Sequence, residues 1–187
     1  MRPAIRVLGA AALLALAACA GLTPRTGRGP VEFELSGRIA VRYANDASSG
    51  NIAWRHAAGD DEMLITSPLG QGVARIVRSD GVVTLTTSDG HEYRARDAET
   101  LTEQVLGYRL PLAGLADWVR GRAAPGPAEE TRDAQGRLDV LRQDGWRVEY
   151  LAYASDGALP ARLRLLYPGL ELRLAIGEWR QPPERKP

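Results

Sequence analysis

The chain has 187 residues, 44% of them hydrophobic, and its 24 basic residues nearly balance 23 acidic ones. This length suits one ordinary domain, and the apolar fraction is sufficient for a core. The near-neutral charge gives no sign of the strongly basic composition that is typical of a nucleic-acid-binding protein.

The N-terminal segment has the pattern of a secretory signal that ends at the only cysteine of the chain. Arg2 and Arg6 precede an apolar run over residues 7–16, and Ala17-Ala18 lie directly before Cys19. The ending Leu-Ala-Ala-Cys resembles the lipobox of bacterial lipoproteins. An ordinary secretory signal and an uncleaved anchor are the alternatives, although so short an apolar run does not comfortably span roughly 30 Å of hydrocarbon.

The lipobox implies that residues 1–18 are a signal peptide and that Cys19 carries the lipid. Two or more acyl chains anchor a protein stably, and no thiol then remains for a disulfide, a redox centre or a thiolate metal site. Ala20, rather than Asp, follows the cysteine, which under the sorting rule of bacterial lipoproteins implies delivery to the outer membrane. Residues 19–30 form the lipidated N-terminus and a flexible tether, since they lack periodicity and contain several Gly and Pro residues.

Residues 31–180 are predicted to form a single domain, followed by a C-terminal tail at 181–187. In residues 33–43, apolar side chains alternate with polar ones, as in a strand with one buried face. Asp80-Gly81 and Asp89-Gly90 favour tight hairpin turns. Further strands are predicted at residues 50–56, 62–67, 72–79, 82–87 and 91–95.

Two helices are predicted in the middle of the chain. Asp97 can cap a helix that begins at Ala98 and ends near Gly107. A second helix over residues 111–120 has Pro in its first turn and an apolar stripe at helical spacing. After a Pro- and Gly-rich link at residues 123–128, strands return. These are predicted at residues 137–143, 146–151, 162–167 and 170–179.

Together these elements predict a mainly β (α+β) fold with about ten to eleven antiparallel strands. A sheet of this size should curl, and two helices laid against its concave apolar face would give an incomplete barrel, or half-barrel. Because the helices fill only part of the concavity, we expect an apolar cavity beneath them.

The sequence offers little catalytic chemistry. His56 and His91 lie in predicted strands outside any catalytic or metal-binding motif, and structural roles suit them best. The acidic pairs Asp60-Asp61 and Glu129-Glu130 lie in or beside turns and are interpreted as solvated charge. We therefore predict a protein that is not an enzyme, with no catalytic residues, no metal site and no cofactor.

The tryptophans and one turn are the remaining candidates for function. Trp146 and Trp179 are expected in the core, whereas Trp54 and Trp118 could face the cavity. Residues Ser67-Pro68-Leu69-Gly70 fit a type I turn, yet the third position holds a large aliphatic residue in place of the usual Asp, Asn or Ser. An exposed Leu at a hairpin tip is costly, but single exposed leucines are common, so this turn alone does not settle a functional role.

Several segments in order along the chain resemble the LolB family of outer-membrane lipoproteins. These are the lipobox, FELSGRIAVRY, SGNIAWRH, LITSPLGQGVARI, the long segment from Ser88 to Gly121, and the closing strand that ends at Trp179. The resemblance covers almost the whole mature chain. It implies a half-barrel covered by helices, a hydrophobic cavity for acyl chains, and a protruding loop with an essential Leu, which matches Leu69 beside Pro68 and Gly70.

The resemblance also implies a function. The protein would be a monomeric receptor on the periplasmic face of the outer membrane, which accepts cargo lipoproteins from a LolA-type periplasmic carrier and inserts them into the inner leaflet. A lipid-binding lipoprotein with no LolA partner, or a structural envelope lipoprotein with a packed core, are the alternatives. The residues expected to line the cavity are Phe33, Leu35, Ile39, Ile52, Trp54, Leu101, Val105, Leu115 and Trp118.

Overall fold

The computed structural model of the chain describes residues 30–181. The chain there forms eleven strands and two short helices, α1 (Ala98–Leu106) and α2 (Leu112–Trp118). The strands are β1 (Val31–Tyr43), β2 (Asp46–Ala57), β3 (Asp60–Thr66), β4 (Gly72–Ser79), β5 (Val82–Thr87), β6 (Glu92–Ala95), β7 (Glu129–Arg132), β8 (Leu138–Gln143), β9 (Trp146–Tyr153), β10 (Pro160–Tyr167) and β11 (Leu170–Arg180).

All eleven strands belong to one antiparallel sheet, in the order β6-β5-β4-β3-β2-β1-β11-β10-β9-β8-β7. Neighbours in the sheet are consecutive in the chain except at the centre, where β1 pairs with β11. Strands β6 and β7 are the two edges and do not pair with each other, so the sheet is open. The predicted incomplete antiparallel barrel with two helices is confirmed.

A bulge bends the central strand pair. The register between β1 and β11 shifts between Ser36 and Gly37, and bulges of this kind bend a strand and increase its twist. A Cβ atom on Gly37 would lie 2.2 Å from the carbonyl oxygen of Ala175. Only glycine permits the two backbones to approach so closely.

Alternation along the strands separates a buried inner face from an exposed outer face. In β11, for example, Leu170, Leu172, Leu174 and Ile176 are buried while Arg173 and Ala175 between them are exposed. Both helices lie in the connection that runs from edge strand β6 to edge strand β7, and their buried side chains join those of the inner face. The helical connection therefore covers the inner face.

The predicted strands agree with the structure except at a few ends. Bounds for β4 and β5 are as expected. Strand β2 begins at Asp46 rather than at residue 50, and β7 was not predicted because all four of its side chains are exposed and show no alternation. Helix α2 covers only the middle of the predicted 111–120 helix. In the part of the chain that the structure describes, neither helix has the length and apolar character needed to cross a bilayer.

Candidate functional site

The inner face of the sheet and the two helices enclose one apolar cluster. All nine residues that we expected to line a cavity belong to this cluster or pack against it. Ile39 and Val105 are half-buried. The buried members are Phe33, Leu35, Ile52, Trp54, Leu101, Leu115 and Trp118. The helices close this face off from solvent, and its assignment as an acyl-chain cavity stays a prediction.

Trp118 ties helix α2 to the β8–β9 side of the sheet. Its indole Nε1 donates a hydrogen bond of 2.8 Å to Oε1 of Gln143 in β8, and the hydroxyl of Tyr150 in β9 donates one of 3.0 Å to its backbone carbonyl. Gln143 is buried and also pairs with the backbone of Ala124, donating to the carbonyl at 2.8 Å and accepting from the amide at 2.9 Å. Directional bonds therefore hold α2 in addition to apolar contacts.

Gly114 provides the space for this tryptophan. A Cβ atom added to Gly114 would lie 2.6 Å from Cζ2 and 2.8 Å from Cε2 of the Trp118 ring. The indole can therefore fold back along its own helix only because residue 114 has no side chain. This contact fixes the orientation in which the indole N–H reaches Gln143.

An ion-pair chain links the end of α2 to the first strand. Arg120 lies 2.7 Å from Glu32 in β1 and 3.2 Å from Asp117 in α2, and its Nε donates to the carbonyl of Ala116 at 2.8 Å. The guanidinium is mostly buried and lies over the ring of Phe33, with 5.2 Å between Cζ and the ring centroid. Arg120 thus fastens α2 to the central strand β1, away from the position of Gln143 in β8.

A buried carboxylate organises the polar part of the inner face. Asp61 accepts hydrogen bonds from Trp54 Nε1 at 2.8 Å and from Arg78 Nε at 2.7 Å, and it lies 2.6 Å from His56 Nδ1. Burial by itself raises the pKa of Asp61, but the hydrogen bonds with His56 and Trp54 and the charge of Arg78 outweigh it. The pKa of Asp61 therefore lies below its ordinary value.

His56 connects the hydrogen-bonded group around Asp61 with the ion pair between Arg120 and Glu32. Its Nε2 lies 3.8 Å from Glu32, the residue that pairs with Arg120, while its Nδ1 faces Asp61. His56 is 6% exposed and stacks on Phe33 at 4.9 Å between ring centroids. The structural role that we predicted for this histidine fits its position in a hydrogen-bonded core network.

The interpretation of Asp61 as solvated charge is wrong, since the residue is 3% exposed. Asp61 shares the parity of Met63 along β3, so the strand directs both side chains into the interior. That shared parity was the sequence signal that could have placed Asp61 inside. The other acidic pair, Glu129-Glu130, is exposed as expected and begins edge strand β7, directly after the link at residues 123–128.

The remaining aromatic candidates occupy structural positions. Trp146 is buried, which confirms its predicted place in the core, and Trp179 is half-buried with its indole donating to the carbonyl of Pro160 at 3.0 Å. His91 is exposed and lies 2.8 Å from Asp89 in the same hairpin.

Helix α1 begins and ends where the sequence predicted. Asp97 caps it by accepting hydrogen bonds from the amides of Glu99 and Thr100, and Gly107 ends it with a φ of 83°. Its buried residues are Leu101 and Thr102. The side chains of α1 and α2 together thus complete the apolar cluster.

The β3–β4 loop, Ser67–Gln71, presents an apolar side chain to solvent. The amide of Gly70 donates to the carbonyl of Ser67 at 2.9 Å, which closes the expected turn, and the amide of Ser67 donates to the carbonyl of Gln71 at 2.7 Å. Gly70 has a φ of 85°, a conformation that favours glycine. Leu69 at the tip is 90% exposed, and Pro68 beside it is exposed too. Contact of this loop with a membrane stays a prediction.

The proposed lipidation site, Cys19, and the predicted signal and tether lie outside the described residues. Their assignment rests on the sequence pattern alone.

Comparison with known proteins gives consistent matches over the described domain. The family model described as "Outer membrane lipoprotein LolB" matches residues 31–179. The outer-membrane lipoprotein LolB of Azoarcus sp. (strain BH72) is 41% identical over 96% of this chain and 98% of its own. The LolB of Thiobacillus denitrificans is 44% identical over 81% of each chain. Among solved structures, a DUF1329 family protein from Desulfovibrio piger covers 85% of this chain and 88% of its own with a TM-score of 0.54 at 7% identity, which shows a likeness of fold.

Proposed function

The chain belongs to the LolB family of outer-membrane lipoproteins, and from this premise we propose that it is a lipoprotein receptor. In this proposal Cys19 holds it on the periplasmic face of the outer membrane by a lipid. The protein accepts cargo lipoproteins from a LolA-type periplasmic carrier and inserts them into the inner leaflet. The observation that carries the proposal is the apolar inner face, closed by two short helices between the open edges of the sheet.

Capture requires that acyl chains replace the contacts between the helices and the sheet. The methylenes of a cargo chain make the same kind of apolar contact as the side chains they displace, at roughly 0.8 kcal/mol for each buried methylene, so a long chain can replace the packing around Leu101 and Leu115. Both are buried on the helices and belong to the same cluster as the inner face. We therefore propose that α1 and α2 move away from the sheet as cargo enters.

The hydrogen-bonded attachments of α2 set the cost of this movement. The bond from Trp118 reaches Gln143 in β8, near one edge of the sheet, whereas the ion pair from Arg120 reaches Glu32 in the central strand β1. Helix α1 begins only two residues after edge strand β6. We propose that α1 moves away from the sheet first and that α2 remains fixed at its Trp118 end.

Release depends on the exposed loop. Burying a Leu side chain is worth roughly 1.5–3 kcal/mol relative to leaving it in water, and Leu69 is the most exposed large apolar residue among those described. We propose that Leu69 enters the acyl region of the bilayer and brings the cargo-binding face close to the lipid.

Handover needs no catalysis and no cofactor in this proposal. Carrier and receptor offer acyl chains the same kind of apolar contact, so an affinity difference of about 1.4 kcal/mol gives a tenfold bias towards the receptor. The direction of transfer then follows from relative affinity and from the bilayer as the final acceptor.

Transfer of a radiolabelled lipoprotein from loaded LolA to this protein, and then to liposomes, tests the proposal. Cargo should leave the carrier and appear first on the receptor. A protein that binds a fluorescent acyl probe but takes nothing from LolA would be a lipid-binding lipoprotein without this partner. A folded protein that binds no acyl probe at all would be a structural envelope lipoprotein.

A further inference from the structure

One groove on the outer face of the sheet has a lining that the proposed function does not use. It has a volume of about 480 Å³ and contains residues from β9, β10, β11, β1 and β2 as well as from the β3–β4 loop. We call it the arginine groove, after Arg38, Arg162 and Arg173, and it also contains the exposed apolar residues Pro68 and Leu151. None of the residues that line it is acidic.

Two of the three arginines lack an acidic partner. Arg173 pairs with Glu171 beside it, whereas Arg38 and Arg162 form no ion pair with any carboxylate among residues 30–181. A neighbouring groove on the same sheet, of about 320 Å³, instead combines three glutamates with its two arginines. The arginine groove is therefore a local excess of positive charge on a chain whose formal net charge is only +1.

The strand register connects this charge to the β3–β4 loop. Ala175 pairs with Arg38 on one side and with Arg162 on the other, so the two arginines stand two strand spacings apart, about 10 Å. Asn51 pairs with Arg38 on its other side, and its Nδ2 donates to the carbonyl of Ser67 at 3.2 Å. One cross-strand row thus runs from Arg162 to the first residue of the loop that carries Leu69.

A small residue keeps this row open. Ala175 is exposed, and its methyl group is the only side chain between the two guanidiniums in the row. Guanidinium groups bind phosphate oxygens through paired, charge-assisted hydrogen bonds. Unpaired arginines around a shallow space, with apolar groups beside them, match the chemistry of a bilayer surface, where phosphates lie above acyl chains.

We propose that the arginine groove binds the anionic headgroups of glycerophospholipids when the β3–β4 loop meets the bilayer. This rests on the proposed function, because it takes the loop to be the part that enters the membrane. The groove orients the domain so that Leu69 points into the acyl region and the outer face of β1, β10 and β11 lies against the headgroups. It would make attachment of the domain sensitive to the content of anionic lipid.

Vesicle binding by the mature chain, residues 19–187, carrying Cys19→Ala tests the proposal, because neither the apolar signal segment nor an acyl anchor then contributes. Vesicles of phosphatidylcholine are compared with an equimolar mixture of phosphatidylcholine and phosphatidylglycerol. The parent should prefer the anionic vesicles. Arg38→Gln/Arg162→Gln should reduce binding to them about 25-fold, since each arginine near an anionic surface contributes about fivefold. Ala175→Glu, which places a carboxylate between the two guanidiniums, should abolish the preference as well.

Matched variants distinguish the effect of the groove on vesicle binding from the effect of overall charge. Arg94→Gln/Arg142→Gln removes the same charge from exposed positions in β6 and β8 and should retain the preference, and Arg38→Lys/Arg162→Lys should retain most of it. Thermal unfolding of each variant confirms folding.

Unchanged binding by folded Arg38→Gln/Arg162→Gln, or an equal loss in the Arg94→Gln/Arg142→Gln control, would overturn the proposal. Binding of inorganic phosphate by the parent but not by Arg38→Gln/Arg162→Gln, together with no preference of the parent for anionic vesicles, would assign the groove to a free anion and also overturn it. The assay contains neither carrier nor cargo. A failure of lipoprotein transfer would therefore leave its result unchanged, and the two proposals can fail separately.

Discussion

The indole N–H of Trp118 and the side-chain oxygen of Gln143 are joined by a buried hydrogen bond of 2.8 Å between helix α2 and strand β8. Gln143 uses the same oxygen and its amide group to hold the backbone of Ala124, in the chain that leaves the helix. One glutamine therefore fixes both the end of α2 and the segment that follows it. Any movement of α2 at this end must break these bonds.

Gln143→Leu should lower the free energy of unfolding by about 1–3 kcal/mol, because it leaves the indole N–H and the backbone groups of Ala124 without partners in the interior. Urea denaturation followed by tryptophan fluorescence measures the change. Gln135→Leu is the control, since Gln135 is exposed in a turn. A loss of similar size in both variants would show that the bond to Trp118 contributes nothing specific.

Asp61→Asn should destabilise the domain and alter how its stability depends on pH. The pKa of Asp61 is lowered by folding, so its contribution to stability is fully present above the ordinary value of about 3.9. The contribution is lost as the pH falls through the lower folded pKa. Between neutral pH and pH 3, the urea midpoint of the parent should therefore fall more than that of Asp61→Asn.

The neighbour Asp60 provides the control for this substitution. It is half-buried at the start of β3, and Asp60→Asn should leave the urea midpoint at neutral pH close to that of the parent. Parallel acid profiles for the parent and Asp61→Asn would rule out a stabilising role for the Asp61 carboxylate.

Gly114→Ala should destabilise the domain even though alanine favours helices, because the new methyl group overlaps the ring of Trp118. Overpacking of this kind costs about 1–3 kcal/mol. Calorimetric measurement of Tm tests this. Gly72→Ala, at a site where nothing lies within 4 Å of an added Cβ, should change Tm little. A rise in Tm for Gly114→Ala would mean that the indole has room to shift.

Leu69→Glu should change the free energy of unfolding by no more than about 0.5 kcal/mol, since the side chain is exposed. Loading from LolA should continue, while delivery of cargo into liposomes should fail because a carboxylate does not enter the acyl boundary. Val82→Glu, at another exposed apolar residue, should deliver normally. Normal delivery by folded Leu69→Glu would remove Leu69 from the mechanism.

Cys19→Ala should abolish lipidation and membrane attachment and leave the domain folded, because the periodic strand pattern begins only after residue 30. Mass spectrometry of the mature parent should find a lipid-modified Cys19, and cell fractionation should move the variant out of the membrane fraction. An unmodified cysteine in the mature parent would contradict the anchor.

The strands and helix caps could be predicted from local pattern, because each depends on residues close in the chain. Alternation in β11 and the Asp97 cap of α1 are of this kind. The pairing of β1 with β11 could not, since antiparallel partners at opposite ends of a chain carry no local signal of one another. Strand β7 was not predicted for a different reason: an exposed edge strand has no buried face, so its sequence does not alternate.

The candidate site likewise has residues that local pattern predicts and residues that it does not. The apolar members of the inner face, such as Phe33 and Leu35, follow from alternation within one strand. The polar attachments do not, because Gln143 and Trp118 are matched only once the sheet brings β8 under the helix. The sequence pattern predicted an apolar cavity beneath the helices, whereas in the structure the helices pack closely on the sheet. Such packing depends on contacts between distant parts of the chain, which local pattern does not show.

The central pairing of β1 with β11 has a consequence for how the protein is made. Before β11 is present, strands β1–β6 and strands β7–β10 can form only two separate meanders. The first meander exposes the unpaired backbone of β1, and the second exposes that of β10. Contacts between distant parts of a chain form slowly, and open strand edges promote aggregation. During export, the polypeptide is therefore prone to aggregation until its final strand, β11, pairs with both β1 and β10.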